Sequence, residues 1–263
     1  MVAALCDLRG FLVDLDGVVY TGDQVIPGAP EFFELLRERS TPFLLITNNS
    51  SRRAEQFAEK LTGMGIPVRP EEILTSAQAT AEFLAAQAAP GSSAFVIGEE
   101  GLRSCLERAG FRLVDDPDAD CVVVGLDRAL NYAKLTTAIR AVARGARFIG
   151  SNPDVSLPVE DGLIPGAGAI QAAITAATGV KPLIIGKPEP PMVEIGLRML
   201  DRGPAETAMI GDRLDTDIAG GQRVGMVTIL VLTGVSTAAE AAVQPTPPHY
   251  VLRDLTELGR RLG

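Results

Sequence analysis

Tryptophan is absent from this chain of 263 residues, histidine occurs once and cysteine three times. The lone histidine, His249, lies in the Pro-rich stretch PTPPHY, which nearly excludes a Ser-His-Asp triad or a metal site built on several imidazoles. It reads as a surface loop residue. Cys6, Cys105 and Cys121 are odd in number, widely spaced and form no CxxC pair, so neither a disulfide framework nor a zinc site is expected. All three read as reduced core residues. There is no basic run, and the formal net charge is -9, which argues against nucleic acid or an anionic membrane surface as a partner. The longest uncharged stretch, Gly162 to Val180, holds Pro165, four glycines and Gln171 and makes a poor membrane span. At the N-terminus Asp7 interrupts VAALC, so no secretory signal is read there and a cytoplasmic protein is expected.

Lysine is scarce as well. It stands only at positions 60, 134, 181 and 187, whereas arginine is used twenty times. Codon bias accounts for that preference, and it makes each lysine more informative. A hydrophobic content of 46% and a charged content of 22% are ordinary for a globular chain. The length admits one large α/β domain, or a core with a smaller second domain.

The most informative segment present is FLVDLDGVVY, Phe11 to Tyr20. Phe11, Leu12 and Val13 are apolar in succession, as in a central parallel strand covered by helices on both faces. Side chains alternate along a strand, so Asp14 and Asp16 are expected on one face, roughly 7 Å apart. Two carboxylates so placed repel each other and are costly unless a cation compensates them, and a divalent metal would do so. Gly17 lets the chain turn away at the carboxyl end of the strand, where ligands of open α/β sheets bind. For an isolated D-x-D-G, an Asx-turn closing a strand is the simpler reading, so the rest of the chain has to decide.

Further along, the spacing predicts a helix from Pro30 to Ser40 and a strand from Phe43 to Ile46 that ends in Thr47-Asn48-Asn49-Ser50. Helical spacing resumes at Ala54, so TNNS reads as a strand-to-helix junction. Its backbone N–H groups and Thr47 suit a phosphate, with N-capping by Ser50 or Ser51 as the simpler alternative. Between Ser76 and Val180 strand and helix patterns repeat independently, enough for a separate α/β domain inserted into the first. GAGAIQ, Gly166 to Gln171, lacks the third glycine of a dinucleotide fingerprint and reads better as close helix packing of small residues. After the insertion come the apolar run Leu183 to Ile185 before Gly186-Lys187-Pro188, a strand Ala208 to Ile210 before Gly211-Asp212-Arg213-Leu214-Asp215-Thr216-Asp217, and a strand Val227 to Leu232 before Thr233-Gly234-Val235-Ser236. Strand-turn-helix units in this order mean a parallel, doubly wound sheet.

Four strands are thus expected to end in polar turns, DLDG, TNNS, GKP and GDRLDTD, at one edge of the sheet. Acidic groups for a metal, a hydroxyl and amides for oxyanions, and one lysine as a point charge are the equipment of phosphoryl transfer.

In this order DLDGVVY, TNNS, GKP and MIGDRLDTDI, with SNPD, PGAGAI and LTGVS, resemble the haloacid dehalogenase (HAD) superfamily of phosphatases, in its NagD-like or 4-nitrophenylphosphatase-like branch. The resemblance spans nearly the whole chain. It implies a Rossmann-like core, residues 1–77 and 181–263, with an inserted α/β cap over 78–180. It also implies Mg²⁺-dependent hydrolysis of small-molecule phosphate monoesters through an aspartyl-phosphate, with Asp14 as nucleophile and Asp16 as general acid and base. Asp14, the backbone carbonyl of Asp16, and Asp212 would hold the metal; Thr47, Asn48 and Lys187 would bind phosphoryl oxygens; Asp217 would orient Lys187 or metal-bound water. Asp215 reads as a cap of the following helix. A phosphomutase or phosphotransferase on the same core, and a non-catalytic phosphate-binding regulator, remain open at this point. So do the leaving group and the oligomeric state, a homodimer among the options.

Overall fold

The computed structural model describes residues 4–159 and 161–263, so the first three residues of the N-terminal stretch read above lie outside them. Eleven strands build two sheets: β1 (Gly10–Asp14), β2 (Phe43–Thr47), β3 (Ile73–Thr75), β4 (Ser93–Ile97), β5 (Arg112–Leu113), β6 (Cys121–Val124), β7 (Arg147–Gly150), β8 (Leu183–Ile184), β9 (Thr207–Gly211), β10 (Val227–Val231) and β11 (Tyr250–Leu252). By internal contacts the chain divides into two units. The first runs through Thr47 and takes in Ala54–Leu74 and Lys187–Gly263; the second comprises Asn48–Arg53 and Thr75–Gly186.

The first unit carries a six-stranded sheet in the order β11-β10-β9-β1-β2-β3. β1 lies at its centre, parallel to β9 on one side and to β2 on the other. Every residue of β1, β2, β9 and β10 is buried, which is why these strands read as continuous apolar runs. Alternation sorts their side chains between two layers. Phe11 and Val13 join a cluster with Phe32, Phe33, Leu36 and Leu258 from helices Ala29–Glu38 and Leu255–Leu262. Leu12 and Leu44 point to the other face, where Gly196 of helix Pro190–Leu200 leaves room for them.

The second unit holds a five-stranded parallel sheet in the order β8-β7-β6-β4-β5 and an antiparallel hairpin, Ser156–Val159 with Gly162–Pro165. The strand before GKP belongs here: Leu183 and Ile184 pair with Ile149 and Gly150. Only three of the four polar turns therefore close strands of the six-stranded sheet, and residues 181–186 go with the second unit. An apolar LIIG reads the same whichever sheet receives it, because its periodicity carries no information about its partner. In GAGAIQ the small residues serve close packing, since a Cβ on Gly168 would stand 2.3 Å from the Pro153 carbonyl oxygen. Cys105 and Cys121 are buried, but Cys6, in the short turn before β1, is exposed, contrary to its reading as a core residue. His249 is exposed, its ring bonded to the backbone N–H of Thr228 at 3.0 Å.

Glu72 fastens the start of β3 to helix Ala29–Glu38. Its carboxylate accepts two hydrogen bonds from Arg37 at 3.0 Å and one from the Arg69 backbone at 2.8 Å. Arg37 in turn lies 5.1 Å over the Phe43 ring. Burial would raise the Glu72 carboxyl, but its hydrogen bonds to Arg37 and Arg69 hold it below its ordinary value of 4.5. Glu72→Gln should therefore cost about 1 kcal/mol of stability near pH 7. In urea titrations the difference should fade as the pH drops through the depressed value, because a lowered carboxyl stabilises only while ionised. A constant difference from pH 7 to pH 3 would show that charge is not what holds this contact.

Candidate active site

The apolar run of β1 carries the chain to the carboxyl edge of the sheet and ends at Asp14, which is 8% exposed. A bend at Leu15 follows, and Asp16 beyond it is exposed. Alternation along one strand therefore does not relate the two carboxylates. What fixes the loop is a tight turn in which the Gly17 N–H donates to the Tyr20 carbonyl at 2.8 Å. Gly17 has φ of 81°, a left-handed conformation that favours glycine.

Lys187 enters this edge with its side chain 2% exposed. Its ammonium donates to Asp14 Oδ1 at 2.5 Å and to Asp217 Oδ1 at 2.7 Å. The second oxygen of Asp217 accepts the backbone N–H of Arg213 at 3.1 Å, so one oxygen is held by Lys187 and the other within the loop that follows β9. Gly211 lets Asp217 come this close, since a Cβ there would stand 2.1 Å from the Cβ of Asp217.

Asp212 is 1% exposed. Its Oδ2 accepts the Val235 N–H at 2.8 Å, while its Oδ1 is buried without a hydrogen-bond partner among the described residues. The loop after β10 wraps it: Ser236 N donates to the Asp212 carbonyl at 3.0 Å, Leu214 N to Ser236 Oγ at 3.1 Å, and Thr233 Oγ1 to the Gly17 carbonyl at 2.6 Å. Two glycines make way for the carboxylate. A Cβ on Gly17 would lie 2.4 Å, and one on Gly234 1.9 Å, from Asp212 Oδ2.

Carboxylate oxygens of Asp14, Asp212 and Asp217 lie within 4.8 Å of one another. Three buried acids against one ammonium leave negative charge uncompensated, and the electrostatics follow. Burial first, then the Asp217 and Asp212 charges, push the Asp14 carboxyl well above its usual value against the opposing pull of Lys187. Burial and Asp217 push Asp212 up to about 6. Burial opposes the charge on Lys187, but Asp14 and Asp217 override it and hold the ammonium protonated. An all-oxygen, acidic pocket with one orphaned buried oxygen fits a hard divalent cation.

The other predicted residues are placed as follows. Thr47 is buried at the carboxyl end of β2, beside β1. Asn48 groups with the second unit, where its amide donates to Asp154 at 3.2 Å and its carbonyl accepts from Ser76 Oγ at 2.6 Å and Asn152 Nδ2 at 2.8 Å. Helix Ala54–Gly63 begins several residues after TNNS, and Asn49 Oδ1 accepts from Ser51, so the segment is a looped junction and not a capped helix start. Asp215 is held by the Arg213 guanidinium at 2.8 and 3.1 Å, and its carboxylate also accepts from its own backbone N–H and that of Thr216. The loop Thr233 to Ser236 had a motif but no role in the sequence; its hydrogen bonds to Asp212 and Gly17 supply one.

The profile of haloacid dehalogenase-like hydrolases matches residues 11–112, and a second one, HAD-hydrolase-like, matches 184–258. An acid sugar phosphatase of Staphylococcus saprophyticus is 44% identical over 254 residues, covering 97% of this chain and 98% of its own. The chain belongs to the haloacid dehalogenase-like hydrolases. NagD from Escherichia coli K-12 superposes with a TM-score of 0.90 at 35% identity, covering 95% of this chain and 98% of its own. For the 4-nitrophenylphosphatase from Thermotoga maritima the TM-score is 0.93 at 36% identity, with 98% and 99% covered. The chain is thus a HAD-type phosphatase of the NagD-like branch, an α/β enzyme with a parallel-sheet core. No helix among its described residues is long and apolar enough to cross a membrane.

In a HAD hydrolase arranged this way, Gly234→Ala should displace Asp212 without unfolding the sheet. Phosphate release should drop at least tenfold while the thermal midpoint moves by only a few degrees. Wild-type turnover in this variant would show that the close approach of Gly234 is not needed.

Proposed function

We propose that this enzyme hydrolyses small-molecule phosphate monoesters, sugar phosphates among them, through an aspartyl-phosphate on Asp14 and with the help of Mg²⁺. One observation carries the reading: the buried Lys187 ammonium gripping Asp14 and Asp217 beside the orphaned oxygen of Asp212. The names of the staphylococcal sugar phosphatase and of the Thermotoga nitrophenylphosphatase support the substrate class. Free thiols, one of them exposed, suit a reducing, cytoplasmic setting.

Asp14 attacks phosphorus as its carboxylate, the bond from phosphorus to the leaving oxygen breaks, and Asp16 protonates that oxygen. Asp16, exposed two residues beyond the nucleophile, then takes a proton from the water that attacks the phosphorus. Phosphate departs and Asp14 is regenerated as a carboxylate. Lys187 orients Asp14 and neutralises charge on the phosphoryl oxygens, and Asp217 keeps Lys187 in place. Thr47 and Asn48 donate to the same oxygens. Asp14, Asp212 and the Asp16 carbonyl would hold Mg²⁺, which supplies positive charge against the buried carboxylates and the substrate phosphate.

The test is a phosphate-release screen over chemically varied monoesters, with Mg²⁺ and with a chelator. Release should require the ion, and Asp14→Asn should abolish it while the unfolding midpoint stays close to wild type. Turnover by Asp14→Asn, with contaminants excluded, would remove Asp14 as nucleophile. Lys187→Ala should lower kcat and raise KM together, by about 100-fold or more in kcat/KM; unaltered kinetics would contradict its role.

A further inference from the structure

The same three strands that bring Asp14, Thr47 and Asp212 together start beside a second polar cavity. Arg9, Pro42 and Glu206 immediately precede β1, β2 and β9, and with Arg39, Thr41 and Arg202 they line a space of about 390 Å³. That volume suits a small molecule. Five residues of strand, roughly 17 Å, separate its floor from the carboxyl edge of the sheet.

Three arginines on one wall are unexpected in a chain with 33 acidic and 24 basic residues. Several other arginines are locked to carboxylates: Arg37 holds Glu72, Arg128 holds Glu99, Arg223 holds Glu189 and Arg261 holds Glu257. Arg9, Arg39 and Arg202 have no carboxylate within ion-pair distance among the described residues. Arg39 donates to the Leu262 carbonyl at 2.5 Å, and Arg202 to the carbonyls of Arg9 at 3.3 Å and Asp201 at 2.7 Å. The Arg9 guanidinium and the Thr41 hydroxyl make no hydrogen bond among the described residues. Glu206, the acid on the wall, accepts the Gly203 N–H at 3.1 Å.

Part of this positive charge has a structural use. Arg39 and Arg202 stand just past the C-termini of helices Ala29–Glu38 and Pro190–Leu200, whose exposed carbonyls favour cations. Through Leu262, Arg39 also meets the end of helix Leu255–Leu262, and Glu206 adds one negative charge. Arg9 follows no α-helix end, and its guanidinium has no partner among the described residues. Arginine forks match phosphate and carboxylate groups, and a cavity with surplus guanidinium donors selects a ligand bearing more than one of them.

We propose that this cavity binds a small organic polyanion carrying two phosphate or carboxylate groups, gripped by Arg9, Arg39 and Arg202 together. The site is independent of the hydrolytic reading above. Calorimetric titration of the intact chain with methylenediphosphonate, and separately with citrate, tests it and tells the two kinds of anion apart. Binding of either probe should weaken at least tenfold in Arg9→Gln and in Arg39→Gln, and should persist in Lys187→Ala. Both arginine variants should release phosphate from substrate at the wild-type rate. Should Arg39→Gln misfold through loss of its bond to Leu262, Arg9→Gln, which removes no hydrogen bond, decides alone. No binding of either probe would overturn the proposal and leave the arginines as counter-charges to helix ends. Binding lost in Lys187→Ala but untouched by Arg9→Gln would place the probe at the catalytic edge and overturn it equally.

Discussion

Everything at the catalytic edge is arranged around one buried ammonium. Lys187 is 2% exposed and joins Asp14 to Asp217, so two loops from different strands are pinned to a third segment by charge. Such a cluster is a poor way to gain stability, because desolvating the ions costs about as much as their attraction returns. With three carboxylates to one ammonium the balance is worse, and the upward shifts of Asp14 and Asp212 express that cost. A hydrophobic plug would fold more easily. Under the function proposed above, a cation and an anionic substrate would complete the cluster.

The surrounding backbone is shaped to keep that incompleteness from collapsing. Asp212 cannot swing toward Lys187, because Val235 N–H holds one oxygen and Gly17 and Gly234 close over it with no Cβ to spare. Thr233 ties the loop after β10 back to the turn after Asp14. The unpartnered oxygen of Asp212 is thereby fixed in place, and pre-set geometry of this kind is what electrostatic catalysis requires.

Much of this could be read in the sequence, for identifiable reasons. Fully buried central strands leave unbroken apolar runs, and Gly-punctuated acidic turns mark where those runs stop, so β1 and β9 with Asp14 and Asp212 were legible. What the local pattern did not carry was strand pairing and where a strand stops. Leu183 and Ile184 look like any short apolar strand, and nothing local says that they join β7. Alternation assigned Asp16 to the face of Asp14, but it holds only while the strand continues, and this one bends at Leu15. Asn48 follows Thr47 directly, yet its carbonyl is held by Ser76 and Asn152, residues 28 and 104 positions away. Long-range hydrogen bonds of that sort have no periodic signature.

Charge poses a last question that the fold answers locally. A chain of net charge -9 repels anionic substrates at a distance. At physiological ionic strength that repulsion is screened beyond about 8 Å, so only nearby charges decide entry. Surface arginines locked to neighbouring carboxylates contribute little to such a field. The cations that can act on an anion are those whose partners leave charge to spare or that have no acidic partner at all. Lys187, bonded to two carboxylates, could attract an anion only once a cation joins it as proposed above; Arg9, Arg39 and Arg202 have no acidic partner among the described residues at the other end of the central strands. The overall charge therefore says little about what either end of β1, β2 and β9 can hold.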